Sequence, residues 1–170
     1  MRRALRALYT LCGYLAGVAL VLMLAMILLN IAGGVFGFFI QGLDAYAGYL
    51  MAASIFLSLA YTLKAGEHIR VTLVIERLSG RARKAFELFC LAAATVITGY
   101  VAWFAVRMVW LSWLINDISQ AQDQTPLWIP QTVMAFGAVI LFIAFVEDLV
   151  DEIRGRRVLP KPGDEPLHIE

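Results

Sequence analysis

The stretch KAGEHIRVTLVIERLSGRARK, residues 64–84, gathers the groups of this 170-residue chain best suited to acid–base or metal chemistry. It holds six of the fourteen Lys and Arg residues, together with Glu67, Glu76 and His68, one of only two histidines. A histidine beside a carboxylate can relay a proton or bind a metal ion. Binding a metal needs further ligands. No second histidine lies in the flanking apolar runs, and no cysteine or carboxylate stands at ligand spacing from His68. A structural hydrogen bond at a helix junction is therefore the expected role of His68. Ser54, Ser58 and Thr62 recur every four residues, a stripe of small hydroxyls that lets packed helices approach and bond across. Arg107 stands alone inside an apolar run, a functional candidate by default in a membrane span. Cys12 and Cys90 also lie in apolar runs and read as small hydrophobes, with neither disulfide nor zinc spacing. No nucleophile–base pair and no phosphate-cradling glycine loop appears, so the pattern indicates no enzyme.

The elements that must position these groups follow from composition. Apolar residues make up 61% of the chain and mean hydropathy is +0.77. Soluble domains hold about 45–50% apolar residues, so the excess needs a bilayer as its solvent. A spanning helix requires about 20 mainly apolar residues. Four runs qualify, at about 11–31, 43–63, 86–111 and 127–146. The fold class read from this is all-α and integral to the membrane. A short N-terminus (1–10) precedes a four-span domain (11–153), and a polar tail (154–170) follows it. The first run is too long for a signal-peptide core and lacks a small-x-small cleavage site, so it reads as a retained span. The tail, rich in proline, contains His168 without neighbours that suggest a site.

Charge sets the orientation. Lys and Arg number three before the first span, six in the 64–84 loop and four in the tail; the other two loops have none. Cytoplasmic loops carry the positive excess, which places both termini and the 64–84 loop inside. Trp103, Trp110, Trp113 and Trp128 all flank the cation-free third loop and mark the outer headgroup level. Arg107 lies among them, where it can snorkel to the headgroups. The outer loop from Leu114 to Pro126 is rich in Asn, Gln, Ser and Asp and is a candidate docking surface. On the inner side, Gly66 follows the second span as a helix terminator would. Val71, Val74, Ile75 and Leu78 then form one stripe, with Arg70, Glu76, Arg77 and Arg81 off it. This is a short amphipathic helix lying in the interface. At the same level, Glu147, Asp148, Asp151 and Glu152 are expected to pair with Arg81, Arg83 and Lys84, tying the fourth span to the third.

The spans carry few polar groups: Asn30, the Ser54/Ser58/Thr62 stripe, Thr95, Thr98 and Thr132, and no carboxylate at mid-depth. Gly13 and Gly17 form a GxxxG pair suited to close helix packing. A b-type cytochrome would need histidines within the spans, and a proton-coupled exporter a buried acid. The residues point to a four-span helical protein whose work is to support a partner.

Two segments give that partner a family context. KAGEHIRVTLVIERL (64–78) and DQTPLWIPQTVMAFGAVIL (123–141), within the four-span layout, resemble the DctQ family, the small membrane subunit of tripartite ATP-independent periplasmic (TRAP) transporters. The resemblance covers about residues 8–153, and its most specific part is the G-x-H-I-R-V run after the second span. It implies a bacterial inner-membrane protein without cofactor, paired with a large membrane subunit that carries the substrate and sodium sites. A periplasmic binding protein would deliver an organic acid to that complex. Membrane lipid is the other expected contact, and nucleic acid is not. Glu67, His68 and Arg70 would then form a framework corner that locks the second span to the interfacial helix or to the large subunit. Pro126, Trp128 and Pro130 would shape the start of the fourth span. The residues themselves leave two alternatives open: the small subunit of a tripartite tricarboxylate transporter, and a membrane scaffold or assembly factor.

Overall fold

The computed structural model describes residues 2–38, 40–65, 80–121 and 124–154, with backbone alone at 2–4 and 80–83. These form four α-helices: α1 (Arg2–Phe36), α2 (Leu43–Ala65), α3 (Gly80–Leu114) and α4 (Trp128–Ile153). Each contains a stretch long and apolar enough to cross a bilayer: Leu5–Phe36, Leu43–Ala65, Lys84–Leu114 and Trp128–Ile153. The observed helices contain the sequence-predicted spans almost entirely and run past them, by up to nine residues at the start of α1 and seven at the end of α4. Hydropathy finds only the part of a helix that needs lipid, whereas backbone hydrogen bonding carries the helix on into polar sequence. The proposed interfacial helix lies outside the described residues.

Between α1 and α2 the chain reverses through two glycines in the left-handed region, Gly37 (φ 74°) and Gly42 (φ 83°). The Phe38 N–H donates to the Gly33 carbonyl at 3.1 Å, a Schellman closure of α1 that needs glycine at its left-handed residue. Across the turn, Asn30 Nδ2 donates to Asp44 Oδ1 at 2.7 Å. The α3–α4 connection closes differently. Its Ser119 and Leu127 N–H groups donate to the Thr125 and Asp117 carbonyls, and an antiparallel bridge joins Ile118 to Pro126. Helix α4 starts without a side-chain cap. Pro130 falls in its first turn, where a missing N–H is tolerated.

The helices form a row in the spatial order α1, α2, α4, α3. The two hairpins α1–α2 and α3–α4 are joined through α2 and α4, which run parallel. Thr125 reaches Tyr46 at one end, and Lys64 reaches Asp148 at the other. Small residues make this joint. Ala60 of α2 and Ala144 of α4 are buried in it. At Gly137 the α2 backbone comes so close that an added Cβ would lie 2.5 Å from the Phe56 carbonyl oxygen. Lipid tails are as apolar as leucine, so packing of this kind, rather than escape from water, drives helices together. The core beside it draws on three helices: Tyr9, Cys12 and Ala16 of α1, Leu57, Ala60 and Leu63 of α2, and Ile140 and Ala144 of α4. Much of the apolar surface of α1 and α3 stays exposed.

The two glycines of the GxxxG pair sit in different surroundings. Gly13 packs under the Tyr61 ring, at 2.9 Å from an added Cβ, whereas Gly17 has nothing within 4 Å. A Gly137→Ala change must therefore push two backbones apart, and we expect it to cost about 1–3 kcal/mol. Thermal melts followed by circular dichroism in detergent should show a lowered Tm for Gly137→Ala and no loss for Gly17→Ala. Equal melts for the two would mean that the α2–α4 approach is looser than described.

Candidate functional site

The densest polar cluster among the described residues sits where α1, α2 and α4 meet at one end of the row. Lys64 is in the last turn of α2. Its Nζ lies 2.6 Å from Asp148 Oδ1 and 2.9 Å from Glu147 Oε2, both on α4. The Tyr9 hydroxyl of α1 donates to Glu147 Oε2 at 3.1 Å. The ammonium also stands 5.6 Å from the centre of the Tyr9 ring, within reach of its negative face. Three helices are thus pinned by one cation.

The position follows from topology. Because α2 and α4 are parallel, their C-terminal ends lie side by side, and each carries partial negative charge. Glu147 and Asp148 add two carboxylates near the same end. Lys64 answers both the helix ends and the acids, and only its long stem can do so from beneath, where Leu63 and Ala144 pack. The side chains of Lys64, Glu147 and Asp148 are 23%, 22% and 16% exposed, so the pairing is shielded on most sides. The cluster is a mechanical joint. No group of three His, Cys, Asp or Glu side chains among the described residues is placed to hold a metal ion.

The sequence placed these acids opposite Arg81, Arg83 and Lys84. Glu147 and Asp148 both meet Lys64 of α2, so the joint ties the fourth span to the second. Lys84 is exposed, and the side chains of Arg81 and Arg83 lie outside the described residues. The signal for Lys64 was present in span parity. Second and fourth spans of an up-and-down chain run the same way, so a cation ending one and acids ending the other share a level.

The other sequence-predicted residues are dispersed. Glu67, His68 and Arg70 lie outside the described residues. Of the hydroxyl stripe, only Ser54 bonds across helices, donating to the Ala16 carbonyl of α1 at 3.0 Å. Ser58 donates to Ile55 O, and Thr62 to Ser58 O and Leu59 O, all within α2. A hydroxyl inside a helix can always satisfy itself on the preceding turn, so spacing alone could not separate these roles. Pro126 forms the bridge to Ile118, Trp128 opens α4 half-exposed, and the Thr132 hydroxyl donates to the Trp128 carbonyl at 2.6 Å. Arg107 is exposed on α3, far from the Lys64 joint.

With this geometry in place, comparison with known proteins gives one family. A family profile described as "Tripartite ATP-independent periplasmic transporters, DctQ component" matches residues 23–155. The match takes in most of the chain, including α2, α3 and α4, and the chain belongs to the DctQ family. Neither the curated proteins nor the solved structures compared with it gave a match. This is a family of transporter components.

Hydrogen bonds to charged groups are worth about 1.5–3 kcal/mol each. Lys64→Met takes the α2 cation away from Glu147 and Asp148, and we expect it to destabilise the fold by about that amount. Adding Glu147→Gln and Asp148→Asn to Lys64→Met should restore part of the loss. Equilibrium unfolding in detergent would show this as strong coupling in the mutant cycle. Additive effects would mean that Lys64 does not hold the two hairpins together.

Proposed function

We propose that this chain is the small permease subunit of a TRAP-type secondary transporter in a bacterial inner membrane. It supports the large membrane subunit in sodium-coupled uptake of an organic acid delivered by a periplasmic binding protein. The observation that carries the reading is the family match over residues 23–155. The architecture is consistent with it. A row of helices with apolar outer faces has little interior of its own and much side area to lay against a neighbour.

In this reading both chain ends and the Lys64 joint face the cytoplasm, supported by the distribution of Lys and Arg along the sequence. The tryptophan-rich ends of α3 and α4 then face the periplasm, together with the outer loop from Leu114 to Pro126 that offers itself to the binding protein. Moving a solute across a bilayer requires one body to shift against another that stays fixed. The chain's part is the fixed one: parallel α2 and α4, closed at mid-depth by Gly137 and at one end by Lys64, resist shear. Substrate and sodium sites belong to the large subunit, and this subunit brings no cofactor. The interfacial helix over 71–78 and the corner of Glu67, His68 and Arg70 extend the same scaffold along the membrane surface.

Proteoliposomes test the proposal. Large subunit, binding protein and this chain are combined under an inward sodium gradient, with a panel of dicarboxylates and sugar acids as probes. Uptake of at least one probe should require all three proteins and collapse without the gradient. In the same assay, His68→Ala with Arg70→Ala should lower uptake in proportion to lost assembly. Full uptake without this chain would refute the supporting role.

A further inference from the structure

Helix α3 presents an unpartnered ridge that the fold does not use. Val96, Tyr100, Trp103, Arg107, Trp110 and Leu114 follow one another at alternating steps of four and three residues, the spacing of a helix–helix seam. All six are exposed, Tyr100, Trp103 and Trp110 at 66%, 69% and 63%. In their midst the Arg107 guanidinium has no hydrogen-bond or ion-pair partner among the described residues.

Resting on the subunit reading above, we propose that this ridge of α3 receives a membrane-spanning helix of the large subunit, and that this helix presents an Asp or Glu carboxylate to Arg107.

An ionised side chain inside a span needs a partner, because hydrocarbon supplies none. Arg107 lies seven residues before Leu114, the last residue of α3, which puts it roughly 10 Å below that end. Side chains on a helix lean toward its N-terminus. For α3 that lean points away from the nearer end, so reaching the headgroups there runs against the direction the side chain takes naturally. A carboxylate at the same depth meets the guanidinium where it stands.

The neighbouring residues agree. Trp, Tyr and Arg are the types enriched at the centres of protein interfaces. At the other edge of the row, α1 exposes a mostly aliphatic surface, Leu15, Val18, Leu22 and Ile31 among it, with Tyr14 and Phe36 toward its ends; it carries no charge there and loses little against lipid tails. A second copy of this chain fits the α3 ridge poorly. Two copies inserted the same way and paired symmetrically on it would set Arg107 against Arg107, with no acid on the ridge to separate them.

Photo-crosslinking in native membranes tests the surface. Benzoylphenylalanine replaces Trp103 or Trp110 on α3, or Val18 or Leu22 on α1, in the tagged chain co-expressed with the large subunit. Adducts with the large subunit are expected from the α3 positions and not from the α1 positions. Arg107→Leu should lower the large subunit recovered in mild detergent roughly tenfold or more. Arg107→Lys should retain most of it, and both variants should keep the wild-type melt. Adducts from α1 alone, to lipid alone or to a second copy would overturn the α3 assignment and leave the subunit reading standing. Undiminished recovery for Arg107→Leu would overturn the carboxylate. No large subunit with the wild-type chain would overturn the subunit reading, and this surface with it.

Discussion

The parallel contact between α2 and α4 carries the architecture. Two helical hairpins of this size have no reason to stay together in lipid unless their backbones can approach closely. Gly137 gives that approach at mid-depth, against Phe56. Lys64 fixes the register at one end, and Tyr9 extends the grip to α1. Small residues set the distance, and one cation with two carboxylates sets the level. Either device alone would leave the hairpins free to slide or to separate.

From that joint the shape follows. With α2 and α4 in the middle, α1 and α3 become edges, and each keeps an outer face. A closed bundle of four helices hides most of its apolar side chains in one core. The row instead hides a band of alanines, two glycines and a few larger residues, and presents the rest. Such a body is suited to lie against something larger. The DctQ family, a component of multi-part transporters, supplies a reason for a chain of this form. The two edges differ in character, mostly aliphatic on α1 and aromatic around an arginine on α3.

Much of this was legible in the residues. Four apolar runs gave four helices, because hydrocarbon leaves the backbone no partner but itself. The segments around 64–78 and 123–141 pointed to the family that the profile match shows. Helix ends were less legible: Arg2, Arg3 and Arg6 read as a short tail, yet α1 begins at Arg2. The Lys64 partnership of Glu147 and Asp148 was missed, because it depends on which helices run parallel and not on a shared cytoplasmic level alone. Ser54, Ser58 and Thr62 look alike in sequence and differ only in which helix lies opposite. Packing partners are a property of the assembled row, and no single helix encodes them.

The central claim is the open row, and a distance between its edges tests it most directly. Cys12→Ala and Cys90→Ser remove the native thiols, and nitroxide labels are placed at Val18 of α1 and Val106 of α3. Neighbouring helix axes lie about 8–10 Å apart, so three steps along the row put the two edges more than about 20 Å from one another. Double electron–electron resonance in lipid nanodiscs should give a distance distribution centred above that value. A distribution centred near 10–14 Å, roughly the spacing of helices across a closed bundle, would contradict the row and the scaffold role built on it.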